Sequence, residues 1–193
     1  SALALFPAQR DALLIASHAS HDLKDFQKMQ EYTLRLIPLP TEAWVYNRLA
    51  SVQQWQLKDL AAAMQTYEII AARFPEYQES FANQGRALMD LDRFDEALAA
   101  FDKGRLSTST VQKPTVAAQS AFWKGFLLGE KRNQPGEALA LVEEAIAAGY
   151  SDSFVQSYRK KYSGTATVVP KLGAAPQPPK ITVPVIPKPR ILH

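Results

Sequence analysis

The sequence predicts an all-α fold in which pairs of helices stack on a fixed period. Three observations lead there. From Asp11 to about Tyr162 alanine, leucine, glutamine and glutamate dominate, without the Val/Ile/Thr alternation of half-buried strands. Prolines in that span are few and fall at breaks between helical stretches. Residues of matching size also return every 34 positions.

Taken in order, the first pair of helices occupies about residues 10–41, divided at His21-Asp22 and closed by Pro38-Leu39-Pro40. The second occupies 42–75, divided at Gln56-Leu57-Lys58-Asp59 and closed at Arg73-Phe74-Pro75-Glu76. The third occupies 76–109, divided at Leu91-Asp92, and runs into a loop from Ser107 to Pro114. The fourth occupies 114–150, with breaks expected at Gly129-Glu130-Lys131 and at Asn133-Gln134-Pro135-Gly136. A last helix over 151–162 reads as a solvating cap. Ser151 would be its N-cap, and Arg159, Lys160 and Lys161 would lie near its C-terminus, where the helix dipole favours cations. These stretches define one helical domain over 8–162.

The period is read from several positions at once. Phe26, Leu60 and Phe94 lie 34 apart, as do Met29, Ala63 and Ala97, and Thr33, Tyr67 and Phe101. On the preceding helices Ser17, Ser51 and Gly85 keep the same step, as do Leu13, Asn47 and Phe81. In the fourth pair Gly125 follows Gly85 by 40 and Ala138 follows Ala97 by 41. Small Gly85, Gly125, Ala97 and Ala138 let two helix backbones approach, and Phe94 and Phe101 fill the space between helices. One pair cannot bury both faces, so the units must stack on each other.

The third unit carries Phe81-x2-Gln84-Gly85-x2-Leu88, then Phe94-x2-Ala97-x3-Phe101-x2-Gly104. The fourth carries Ala121-x2-Lys124-Gly125-x2-Leu128, then Ala138-x3-Val142-x2-Ala145. This 34-residue helix–turn–helix unit resembles the tetratricopeptide repeat over roughly residues 10–150. The first unit is degenerate, with Met29 where alanine is usual. The resemblance implies a right-handed α-solenoid with one concave side, and a protein-interaction role. Carried over residue by residue, the concave positions are Asp11, Leu14, His18 and His21; Val45, Arg48, Val52 and Trp55; Asn83, Arg86 and Met89; Gln119, Phe122 and Trp123. The family's carboxylate-clamping constellation is not matched, since Val52 stands where its first asparagine should be.

The tail, 163–193, is different in kind. It holds seven of the thirteen prolines, four cations and no acid, leaving 18 of the 22 cations against all 19 acids in the body. The net charge of +3 therefore comes from the tail, and the body lacks the basic balance of a nucleic-acid face. Such a segment is extended and polyproline-like, serving as a linker or as a binding arm. Residues 181–190 offer a route to self-association. No cysteine is present, which excludes disulfides and thiolate metal sites. No apolar run approaches a membrane span, and the opening Ser1–Phe6 lacks the basic start of a secretory leader. A soluble protein of either cytoplasm or periplasm fits.

No catalytic pattern stands out: there is no glycine-rich phosphate loop, no nucleophile elbow and no His-Glu-x-x-His. His18 and His21, three apart on one helix, lack a third metal ligand at regular spacing. The acids Asp95/Glu96 and Glu143/Glu144 suit helix starts and solvated faces. The expectation is a non-catalytic scaffold without metal or cofactor, holding a peptide or protein segment in its groove. Arg48 and Arg86 would meet carboxylates or carbonyls, Asn83 a peptide backbone, and Trp55, Phe122 and Trp123 would offer stacking surface beside Val52. Two other readings stay open: a structural subunit that assembles an oligomer or envelope machine through its convex face or tail, and a regulatory domain of a larger enzyme.

Overall fold

The computed structural model describes the backbone of residues 2–110 and 114–165 and the side chains of residues 8–110 and 114–164. The expected proline-rich arm, including 181–190, lies outside the described residues. Among the described residues all regular structure is helical. The order is α1 (Ala2–Asp22), α2 (Phe26–Leu36), α3 (Ala43–Trp55), α4 (Leu60–Arg73), a 3₁₀ turn (Gln78–Ser80), α5 (Phe81–Asp90), α6 (Phe94–Arg105), α7 (Val116–Lys131), α8 (Pro135–Ala147) and α9 (Ser153–Thr165).

Consecutive helices pack as pairs: α1 with α2, α3 with α4, α5 with α6, and α7 with α8. Each second helix then meets the first helix of the next pair, α2 on α3, α4 on α5 and α6 on α7, and α8 continues onto α9. The main apolar core runs through the middle of this series, from Tyr46 and Tyr67 through Ala97 and Phe101 to Leu127.

The 34-residue period is visible in burial. Met29, Ala63, Ala97 and Ala138 are all fully buried, and so, or nearly so, are Thr33, Tyr67, Phe101 and Val142. What changes from pair to pair is how one volume is divided between two helices. In the first pair Ser17 and Thr33 share it through a 2.8 Å hydroxyl contact. In the third, Gly85 leaves all of it to Phe101, whose ring lies where a Cβ on residue 85 would be. In the fourth, Gly125 lies against the Ala138 carbonyl and Leu141. Interior packing density makes such size exchange obligatory.

A second recurrence belongs to the backbone. Lys24, Lys58, Asp92 and Asn133 adopt left-handed φ values of 59°, 58°, 55° and 54°, at steps of 34, 34 and 41 residues. Each ends a first helix, and the amide that follows folds back onto a carbonyl in the last turn, as Arg93 N does on Leu88 O at 2.9 Å. The next helix starts at once. The Asp25 carboxylate caps α2 by accepting from Lys28 N, and Asp59 caps α4 by accepting from Ala62 N.

Three boundaries differ from the sequence expectation. Helix α7 runs unbroken through Gly129-Glu130-Lys131, and α8 begins at Pro135. Gly129 marks a close approach, since a Cβ there would sit 2.5 Å from the Tyr162 ring. The last helix is Ser153–Thr165 rather than 151–162, capped by Asp152, whose carboxylate accepts from Val155 N at 2.9 Å. Nor is it merely a solvating cover, because Val155 and Tyr162 are buried against α7 and α8. Helix α1 begins at Ala2, before the Asp11 start read from the sequence.

Candidate functional site

Helices α3, α5 and α7 are the first members of three successive pairs, and most of the expected groove residues lie on them. On α3, Trp44, Arg48, Val52 and Trp55 recur every three or four residues and so share one side. Arg48 stacks over the Trp44 ring at 5.3 Å, and the His18 ring of α1 lies 5.3 Å from the same indole. Beside them opens a cleft of about 470 Å³. His21, Lys24 and Phe26 line it from the α1–α2 corner, and Arg48, Val52 and Trp55 from α3. Val52 is otherwise buried and gives the cleft an apolar wall.

On α5, Asn83 donates to Ser51 Oγ at 3.5 Å, which spans the second and third pairs. One turn on, the Arg86 guanidinium lies 4.3 Å from the Trp55 ring and 4.4 Å from the Trp123 ring. A cation is thus stacked between indoles of α3 and α7. Burial lowers the Arg86 pKa from its ordinary value, and nearby Tyr150, Asp90 and Tyr67 act against that shift. Among the described residues no carboxylate lies within 4.0 Å of Arg86. A guanidinium carries its N–H donors in its plane. Contact with the two rings leaves in-plane donors that an oxygen acceptor could take.

Helix α7 divides its two aromatics. Trp123 is half-buried and completes the stack, whereas Phe122, expected as groove surface, is fully buried. Its ring meets Tyr150, Phe154 and Tyr158 at 5.3, 5.7 and 6.1 Å. The aromatic cluster under α9 was not among the expected features. Its signal was present: Phe122 and Phe126, and Tyr150, Phe154, Tyr158 and Tyr162, each recur at four-residue steps.

The remaining candidates fall into other roles. His21 faces Asp22 at 3.5 Å, and the His18 Nε2 is buried without a hydrogen-bond partner. No group of three potential metal ligands occurs among the described residues. The adjacent acids turn to separate cations: Asp95 to Arg132, Glu96 to Arg93, Glu143 to Arg159 and Glu144 to Arg105. Of the packing residues, Gly85, Ala97, Phe101, Gly125 and Ala138 are buried. Phe94 is half-buried beneath Lys131. No described helix is long and apolar enough to cross a membrane.

No family model matches the chain, and no curated protein matches it.

Proposed function

We propose that the helix pairs form a tetratricopeptide-like right-handed solenoid whose concave side, built from the first helices, holds a segment of another protein without performing chemistry. The observation that carries this reading is Arg86, whose guanidinium lies 4.3 and 4.4 Å from the Trp55 and Trp123 rings and has no carboxylate within 4.0 Å among the described residues. A half-buried cation with no salt bridge among the described residues is costly to maintain. A ligand oxygen on its in-plane donors would offset that cost and fix the register of a bound segment. Support for the solenoid comes from the 34-residue recurrence of burial and of left-handed turn residues. Arg48 and the apolar wall of Val52 and Trp55 extend the same surface toward the first pair.

The test is a selection of displayed peptides on the wild-type protein, followed by titration of the enriched peptides on Arg86→Glu and Arg48→Glu. Lys103→Glu, on a helix that takes no part in the groove, is the control. Loss of a central charge–aromatic anchor typically costs about 2 kcal/mol or more, roughly a thirtyfold fall in affinity. Equal binding by wild type and Arg86→Glu, or no enrichment at all, would remove the groove reading.

A further inference from the structure

The groove residues form a chain of contacts that changes character along its length. At the α1–α3 end it is cationic. Arg48 lines the cleft with Lys24, Ser51 and Trp55, and Asp22, the acid on that lining, lies 3.5 Å from His21. Ser51 accepts from Asn83, and the Trp55 ring lies 4.3 Å from Arg86, so the surface continues onto α5. Among the described residues neither Arg48 nor Arg86 has a carboxylate within 4.0 Å. Asp90, one turn along α5, lines a separate cleft together with Lys58. At the α9 end the contacts are aromatic. Trp123, 4.4 Å from Arg86, continues to Phe126 at 5.4 Å and to Phe154 at 6.1 Å, and Tyr158 lies 5.0 Å from each of those two. Phe154 meets fully buried Phe122 at 5.7 Å and is still 44% exposed. Glu130, further along α7, is committed to Lys161 and Tyr162.

We infer that the segment held in the groove is both acidic and aromatic: a carboxylate seats on the Arg86 guanidinium, a second lies toward Arg48, and a large apolar side chain rests on the Trp123 and Phe154 rings. This rests on the groove reading above and narrows it to one ligand chemistry. Charge selects the acid. An arginine without a carboxylate of its own makes charge-assisted hydrogen bonds to one brought by a partner, and it repels a cationic partner. The chain's own residues 163–193, with four cations and no acid, carry the wrong sign for this place. Single-stranded nucleic acid also joins negative charge to stacking rings, but it calls for a run of cations along its backbone. The body holds 18 cations against 19 acids and offers no such excess. Spacing selects the arrangement. The guanidinium is 4.4 Å from the Trp123 ring, and that ring is 6.1 Å from Phe154. An extended chain advances about 3.3 Å per residue, so the carboxylate and the apolar side chain lie within about three residues of each other.

The experiment selects an unbiased displayed-peptide library on the full chain, then titrates the most enriched peptide and two changed forms of it. Enriched peptides should carry Asp or Glu within about three residues of Trp, Phe, Tyr or Leu. Replacing the carboxylates by their amides should weaken binding about tenfold, and replacing the large apolar residue by alanine should do the same. Both changes are made in the peptide, so the folding of the protein is not at issue. On Arg86→Gln the amide form should bind as well as the acid, and on Phe154→Ala the alanine form should bind as well as the parent. Arg48→Gln, which should narrow the gap between acid and amide, is the second charge variant should Arg86→Gln misfold. The inference is overturned by enriched peptides that are neutral or basic, or by an amide or alanine form that binds the wild type as tightly as the parent. In those cases the groove reading survives wherever Arg86→Glu still weakens the peptide. Tighter binding of single-stranded oligothymidine than of any enriched peptide overturns both, as does the absence of enrichment.

Discussion

A Cβ placed on Gly85 would lie 2.3 Å from Cε1 of Phe101, closer than two carbons can approach. Residue 85 and residue 101 therefore cannot be varied separately. Gly85→Ala should cost about 1–3 kcal/mol through overpacking, read as a lower midpoint in urea. Gly85→Ser together with Phe101→Thr copies the Ser17–Thr33 pair of the first unit, which is joined at 2.8 Å. The two changes should be strongly non-additive, with a coupling of about 0.5–3 kcal/mol. Simple additivity would show that the two residues do not share one volume.

How much of this was legible in the sequence depends on whether the signal was local. The Gly85/Ala97/Phe101 spacing already contained the helix pairs, because a close helix crossing leaves a size pattern on both partners. The breaks at prolines held for the same reason. Gly129 misled, since glycine marks both a helix end and a close approach, and only the position of Tyr162 separates the two. The Arg86 stack was illegible as a stack. Its members lie 31 and 37 residues apart, and no local rule brings Trp55 and Trp123 to one guanidinium.

The left-handed residues between paired helices give a second test. Lys58 is exposed at a φ of 58°, where a side chain branched at Cβ meets its own backbone. Lys58→Val should lower stability by about 1 kcal/mol, and Lys58→Gly should show no such loss. Chemical denaturation of the two variants checks the difference. If valine is tolerated as well as glycine, the turn does not hold its left-handed geometry in solution.

Glu130 links α7 to α9 by accepting from Lys161 Nζ at 2.6 Å and from the Tyr162 hydroxyl at 2.9 Å. Burial pulls its pKa upward, but the hydrogen bonds from Lys161 and Tyr162 outweigh it, and the net value lies below the ordinary 4.5. A depressed carboxylate contributes stability that is complete above its unfolded value and is lost as pH falls through the folded value. Glu130→Gln should therefore melt below the wild type at neutral pH, and the gap should close as pH drops beneath 4.5. The pair is partly exposed, so the gap should also shrink in high salt. A gap that stays constant from neutral to acid pH would assign the loss to packing instead of charge.

Arg86 makes a structural prediction that can be separated from binding. Its guanidinium spaces two indoles that belong to different helix pairs, so it joins α3 to α7 across α5. Each stacked contact contributes about 0.5–2 kcal/mol when partly desolvated. Lysine keeps the charge but cannot lie flat between two rings. Arg86→Lys should thus lose stability nearly as Arg86→Ala does, and both should shift the tryptophan emission spectrum, because two of the three indoles lose a stacked cation. Charge alone predicts the other ordering, with lysine close to wild type and alanine well below it. Thermal melts and emission spectra of the two variants, taken without any ligand, decide between stacking and charge as the reason this arginine stands between Trp55 and Trp123.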